Sequence, residues 1–136
     1  TLTQLAPLSG AVIVTTANDL SLIDARKGLQ MFNKVKVPIV GIVENMATHT
    51  CSNCGHEEAI FGTGGGDRIA EEYEVPVLAR LPLSMEFRVG DAAGVPVLNE
   101  PDGPVADAFV AMAAVVIAQL AGAAPSSGPT ISIVDD

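Results

Sequence analysis

The sequence predicts an α/β protein built on a parallel sheet, because two apolar runs flank a segment with helical periodicity. Residues 11–16 form one continuous apolar, β-branched run and residues 39–44 form a second. Continuous runs of this kind are typical of strands that are buried on both faces. The segment between them carries one apolar stripe at helical spacing, formed by Leu22, Ala25, Leu29 and Phe32. A strand, a crossover helix and a second strand make a βαβ unit, in which the two strands run parallel.

Polar residues and a proline set the boundaries of this unit. Asn18 and Asp19 are suited to cap a helix N-terminus, so the helix should run from residue 20 to about residue 33. Pro38 should end the connection to the second strand, because the residue before a proline resists the helical conformation.

The C-terminal half predicts further helices and a third strand. Residues 67–74 predict a short helix that Asp67 caps, and residues 75–82 contain the third strand. A short helix over residues 84–93 and an edge strand at residues 131–134 are also expected. The last long helix should bury one apolar stripe, which comprises Val105, Phe109, Met112, Val116 and Leu120.

The composition of the 136-residue chain excludes several function classes. With 49% apolar and 17% charged residues, the chain is not disordered as a whole, and its length fits one domain or a piece of one. Seven Lys and Arg against 16 Asp and Glu give a net charge of −9, which argues against nucleic acid or an anionic membrane as a partner. The longest apolar run, residues 108–118, is shorter than the ~20 residues that span a bilayer.

The strongest local signal for chemistry is Cys51-Ser52-Asn53-Cys54-Gly55-His56. Two intervening residues let both thiolates point at one metal, and the glycine permits the turn that aims backbone N–H groups at sulfur. Zinc and iron–sulfur sites typically need four ligands, whereas this motif supplies two. The other two could be His49 and His56, or the same two cysteines of a second chain across a two-fold axis. A redox dithiol is the competing interpretation, although no helix pattern follows the motif as it does in thioredoxin-type sites.

Two other features bear on nucleotide binding. Asn45 follows the second strand at its carboxyl end, where ligands of open α/β sheets bind, and its amide can pair with a purine edge. Asparagine is also a common turn former. Residues 62–66, Gly-Thr-Gly-Gly-Gly, lack the lysine of a P-loop and follow a polar insertion instead of a strand. We expect a tight turn into a helix there, with Asp67 stabilising the helix dipole.

Several motifs in the same order resemble the Mrp/ApbC family of iron–sulfur cluster carrier ATPases. They are Val43-Glu44-Asn45-Met46, Cys51 to His56, Ile60-Phe61-Gly62-Thr63-Gly64-Gly65, Gly10 to Thr16, Asp24 to Phe32 and Leu81-Pro82-Leu83. The resemblance covers residues 1–121. It implies the C-terminal part of a parallel-sheet P-loop NTPase (Rossmann-like) domain of the MinD/ParA kind, with a C-x-x-C insertion. Beyond it, the Ala, Pro, Ser and Gly content of residues 122–136 predicts a flexible tail.

The resemblance also implies site residues, cofactors and partners. It makes Cys51 and Cys54 the ligands of a [4Fe–4S] cluster held between two chains. It thus implies a cytoplasmic homodimer that transfers the cluster to apo iron–sulfur proteins, with no nucleic acid or membrane partner. It makes Asn45 the residue that reads the adenine of ATP, and Pro82 and Leu83 lining residues of the adenine pocket.

The family's Lys-bearing P-loop and its magnesium-binding aspartate do not occur in these 136 residues. We therefore expect this chain to supply only the adenine end of an ATP site. It should not hydrolyse ATP alone, and Mg²⁺ should bind only together with an N-terminal half.

Two other functions stay open at this point. A zinc-stabilised dimerisation or interaction module would use Cys51, Cys54 and a histidine to fold the insertion, without nucleotide chemistry. A thiol redox protein would use the same cysteine pair for electron transfer.

Overall fold

A computed structural model describes residues 7–85 and 103–122, and it has the α/β architecture that the sequence predicts. The elements are β1 (Ala11–Thr15), α1 (Asp19–Lys34), β2 (Ile39–Glu44), β3 (His49–Thr50), β4 (Glu57–Glu58), α2 (Gly65–Glu72), β5 (Val77–Arg80) and α3 (Pro104–Ala121). The expected edge strand at residues 131–134, the expected tail and nearly all of the expected helix over residues 84–93 lie outside the described residues.

β1, β2 and β5 form a parallel sheet with β2 in the centre, as the βαβ prediction requires. α1 and α2 pack on one face around a core of Ile13, Leu22, Ala25, Leu29, Ile42, Ile69 and Ala70. α3 packs on the other side against a second core of Val40, Val43, Leu78 and Leu81. The carboxyl ends of all three strands therefore meet at one edge, between two helical layers.

α1 confirms the sequence prediction to within one residue at each end. The side-chain oxygen of Asn18 accepts the backbone N–H of Ser21 at 2.9 Å, which caps the helix. α1 and α2 are also joined by two ion pairs, Arg26–Glu72 at 2.8 Å and Arg68–Asp19 at 3.1 Å.

β1 departs from the expectation of a strand that is buried on both faces. β2 is buried along almost its whole length, but Val12 and Val14 of β1 are 36% and 59% exposed. β1 lies at the edge of the described sheet, and α3 packs over β2 and β5. The prediction is therefore wrong for β1 here, because α1 covers one of its faces and the described residues leave the other open.

α3 carries the predicted inner stripe, but it is apolar on its outer side as well. Val105 is buried, and four partly buried residues of the predicted stripe pack against the second core: Phe109, Met112, Val116 and Leu120. On the outer side, Val110 and Ile117 are exposed. Among the described residues, α3 is the one helix long and apolar enough to cross a bilayer, although its longest unbroken apolar run did not indicate this. Apolar core helices meet the same criterion, so length and composition do not assign α3 to a membrane.

Candidate functional site

The first part of the candidate site lies where β2 ends at the carboxyl edge of the sheet. The backbone N–H of Asn45 donates to the carbonyl of Thr15 at 2.7 Å, which fixes Asn45 beside the end of β1. Its side-chain oxygen accepts the N–H of Met46 at 3.0 Å, and Met46 has a left-handed φ of 53°. Such a conformation is uncommon for a residue other than glycine, and it clusters at functional sites. The side-chain N–H₂ of Asn45 has no hydrogen-bond partner within the described residues.

The two other candidate adenine residues follow β5 at the same edge. The N–H of Leu81 donates to the carbonyl of Glu44 at 2.9 Å, and the N–H of Leu83 donates to the carbonyl of Thr48 at 2.7 Å. Pairing between the two chain segments thus continues past Asn45. The structure brings Asn45, Pro82 and Leu83 to one edge of the sheet, while their role in reading adenine stays a prediction.

The C-x-x-C motif forms the turn of a short antiparallel hairpin made by β3 and β4. The N–H of Cys51 donates to the carbonyl of His56 at 2.9 Å, and the N–H of Gly55 donates to the carbonyl of Cys51 at 2.8 Å. Gly55 has a φ of 72°, which glycine adopts at no steric cost and which other residues rarely adopt. Neither cysteine begins a helix, which argues against the thioredoxin type of redox site.

Both thiols are free, and the surroundings of Cys51 favour its thiolate. The backbone N–H groups of Asn53 and Cys54 and the thiol of Cys54 hydrogen-bond to Cys51, and together they lower the pKa of the Cys51 thiol. Hydrogen bonds to the charged form favour that form. Both cysteines belong to the same tight turn, which the hydrogen bond from the N–H of Gly55 to the carbonyl of Cys51 closes. Cys51 is half-buried and Cys54 is exposed, so a ligand can reach both sulfurs from solvent.

The two histidines do not complete a metal site with the cysteines. Within residues 7–85 and 103–122, no three His, Cys, Asp or Glu side chains are grouped so that they could hold one ion. His49 lies in β3, with its buried Nδ1 3.7 Å from Oε1 of Glu58 and without a hydrogen-bond partner there. His56 is exposed. The sequence allowed a metal site in which one chain supplies Cys51, Cys54, His49 and His56. The described residues do not bring these four side chains together.

The glycine run forms a tight turn into α2, as expected, but Asp67 is not its cap. Gly64 occupies the N-cap position without a side-chain hydrogen bond, and Asp67 pairs with Arg80 of β5 instead. Gly65 and Gly66 begin the helix where it touches the sheet. A Cβ on Gly65 would lie 2.5 Å from Cα of Ala17. The glycines therefore allow a close approach of α2 to the end of the sheet. The prediction that Asp67 caps the helix is wrong, but Asp67 does lie in the first turn, where its charge complements the helix dipole.

Glu44 supplies the carboxylate at the N-terminus of α2. Its side-chain Oε2 accepts the N–H of Gly66 at 2.5 Å, and the residue is 2% exposed. A negative charge at this position complements the helix dipole. The sequence analysis missed Glu44, although a single carboxylate at the end of an apolar strand is a usable signal.

An open groove of about 510 Å³ runs along the outer edge of β1 and ends at Asn45. Its polar lining consists of Thr15, Thr16, Ser21, Asp24 and Asn45. Neither Lys nor Arg lines the groove. The described lining of this groove therefore offers polar groups that suit a base, and no basic group for phosphates.

Comparison with protein families identifies relatives of the chain. A family model described as ParA: NUBPL iron-transfer P-loop NTPase matches residues 1–117. An iron–sulfur cluster carrier protein of Pseudomonas fragi is 55% identical over 107 residues, 78% of this chain and 37% of the relative. The carrier protein of Escherichia coli is 49% identical over 121 residues, 88% of this chain and 33% of the relative. The mouse iron–sulfur cluster transfer protein NUBPL is 40% identical over 118 residues, 86% of this chain and 37% of that protein.

Solved structures with the same fold include nucleotide-binding proteins. A nucleotide-binding protein of Archaeoglobus fulgidus in complex with ADP aligns with a TM-score of 0.57 and 31% identity, over 74% of this chain and 40% of that one. The cell division ATPase MinD of Pyrococcus furiosus aligns with a TM-score of 0.63 and 26% identity, over 81% of this chain and 43% of that one. The chain thus spans about a third of the length of these curated relatives. The predicted P-loop NTPase fold class is confirmed.

Proposed function

Because this chain belongs to the family of NUBPL-type iron-transfer P-loop NTPases, we propose that it carries an iron–sulfur cluster as cargo for apo-proteins. The observation that carries the proposal is the cysteine hairpin. Its turn carries both free thiols, and hydrogen bonding from the backbone of Asn53 and Cys54 lowers the pKa of Cys51, which favours the thiolate that a cluster needs. Relatives named as iron–sulfur cluster carriers support the same cargo.

The cluster of this proposal is a [4Fe–4S] cluster shared by two chains. Such a cluster takes four thiolates, and each chain offers Cys51 and Cys54. The described residues supply no third ligand beside them, so a two-fold axis that joins two hairpins is the simplest way to complete the set. Cluster binding and dimerisation then occur together. We propose that both take place in the cytoplasm.

The nucleotide part of the proposal assigns the adenine end of an ATP site to this chain. Asn45 has a free side-chain N–H₂ at the carboxyl edge, and Pro82 and Leu83 lie in the neighbouring segment. The neighbour that was solved with ADP supports nucleotide binding in this fold. Since the groove at Asn45 has no basic lining residue, the phosphates and Mg²⁺ need a further part of the protein.

Anaerobic reconstitution with iron and sulfide tests the cargo. The proposal expects broad visible absorption, acid-labile sulfide and iron that stay with the chain through gel filtration. Ser52→Ala is the matched control, because Ser52 is an exposed residue of the same turn and should leave the absorption unchanged. Zinc uptake without colour would instead support the interaction module, and a chain that binds neither metal would contradict the proposal.

A further inference from the structure

We infer that Leu83 is a positioning residue for the cysteine hairpin, because its backbone N–H joins the hairpin to the end of β5. The inference rests on the proposed function, since it concerns how the thiol pair is held for its cargo. Leu83 acts through the strand that leads to Cys51, because it bridges to His49 in that strand.

A ladder of backbone hydrogen bonds connects the sheet to the hairpin. The N–H of Ala47 donates to the carbonyl of Leu81 at 2.9 Å, and the N–H of Leu83 donates to the carbonyl of Thr48 at 2.7 Å. His49 and Leu83 then form a parallel bridge. Cys51 follows His49 by only two residues. The bridge between His49 and Leu83 is therefore adjacent in sequence to the turn that carries the thiols.

The hairpin needs such support because it is too short to hold itself. β3 and β4 contain two residues each, and isolated two-stranded hairpins are marginally stable in water at best. The chain also enters the hairpin through Met46, whose left-handed φ of 53° turns it away from the direction of β2. The direction in which the two sulfurs point is therefore set largely by where Leu83 fixes Thr48 and His49.

The segment that holds the hairpin also carries the candidate adenine residues Pro82 and Leu83. The backbone N–H of Leu83 is committed to the hairpin, so a ligand beside this segment would meet only its side chains and its carbonyl groups. The hairpin and the adenine edge thus share one short stretch of backbone.

A pair of substitutions separates the N–H group of Leu83 from its side chain. Leu83→Pro removes the donor to Thr48, whereas Leu83→Ala keeps the donor and removes most of the side chain. After reconstitution with iron and sulfide, we expect L83P to lose its visible absorption to a chelator about fivefold faster than L83A, as the loss of one hydrogen bond predicts. L83A retains that bond and reports what the side chain contributes, so the two variants are compared with each other. Equal rates for the two variants would overturn the role of the N–H.

Hydrogen exchange on the unmodified chain gives a second test that needs no variant to fold. Zn²⁺ is the probe, because thiolates bind it whether or not a cluster assembles. We expect Zn²⁺ to slow exchange of the Leu83 and Ala47 amides by about fivefold, the effect of strengthening one hydrogen bond, and to leave the Leu29 amide of α1 unchanged. Zinc binding without slower exchange at Leu83 would contradict the inference. An unmodified chain that takes up zinc but no cluster would overturn the proposed function alone.

Discussion

The cysteine hairpin and the outer edge of β1 are both exposed, but they are exposed in chemically different ways. In the hairpin, backbone groups of Cys51 and Gly55 are paired within the turn, and the exposed side chains are mostly polar or ionisable. At β1, the exposed side chains are Val12 and Val14, and no strand of the described residues pairs with the outer edge. The hairpin is an accessible ligand set, whereas the β1 edge is an apolar surface that water contacts unfavourably.

This difference indicates that the two regions need different partners. In the proposed function, the hairpin offers two of the four thiolates of a cluster, and a second copy of the same hairpin would complete the set. The β1 edge needs an apolar cover and a paired strand, which a copy of the hairpin does not provide. Substitutions at one region should therefore leave the behaviour of the other unchanged.

The largest effect is expected from Cys51→Ala. Removing one sulfur leaves each chain with a single thiolate, so the substitution should abolish both the cluster and the cluster-dependent dimer. The fold should persist, because Cys51 lies in the exposed turn and outside both cores. Iron analysis and gel filtration after reconstitution measure the loss, and far-UV circular dichroism checks the fold. A Cys51→Ala variant that retains a full cluster would show that the hairpin does not supply the cluster ligands.

The next largest effect concerns the packing of α2, which contacts β2 and β5 and belongs to neither region. Gly65→Ala should destabilise the chain by roughly 1–3 kcal/mol, because the new Cβ would lie 2.5 Å from backbone atoms of Ala17. Gly28→Ala is the control: it lies inside α1 with nothing within 4 Å of a Cβ, and it should stabilise by about 0.5–1 kcal/mol. Urea denaturation compares the two, and a Gly65→Ala variant as stable as the unmodified chain would contradict the close approach.

A moderate effect is expected at the β1 edge. The unmodified chain should self-associate and bind an apolar dye, because Val14 is 59% exposed beside an unpaired edge. Val14→Lys should weaken both by adding a charge to the edge, while Gln30→Lys adds the same charge on an exposed position of α1 and should not. Sedimentation velocity and dye fluorescence measure the difference. A monomeric, dye-silent unmodified chain would mean that this edge needs no cover.

The smallest effect is the heat of ATP binding to this chain alone. Charge-assisted contacts to phosphate contribute roughly 1.5–3 kcal/mol each, and the groove at Asn45 offers no basic group to make them. ATP should therefore bind weakly or not at all, and residual binding should not depend on Mg²⁺. Isothermal titration with and without Mg²⁺ checks this, and micromolar, Mg²⁺-dependent binding would reveal a phosphate site among these residues.

The features that the sequence predicted well are those with local causes. The start of α1 follows from the Asn18 cap, and the inner stripe of α3 follows from its periodicity. The C-x-x-C turn was also predictable, because two intervening residues and Gly55 nearly dictate its shape.

The features that the sequence could not predict depend on distant contacts. Whether Val14 is buried depends on what lies across from it, and an apolar run carries no information on that point. A single carboxylate at the end of an apolar strand draws attention to Glu44, but its contact with Gly66, 22 positions further along the chain, arises from the fold and not from a local pattern. Likewise, the separation of His49 and His56 from the thiols is a property of the folded hairpin.

The iron content and mass of the reconstituted chain test the central claim most directly. Native mass spectrometry under anaerobic conditions reports both quantities in one measurement. A [4Fe–4S] cluster held between two hairpins predicts a dimer with about two iron atoms for each chain, and a return to monomer when the cluster is removed. A monomer that carries a complete cluster would contradict the claim, because one chain would then supply ligands that the described residues do not.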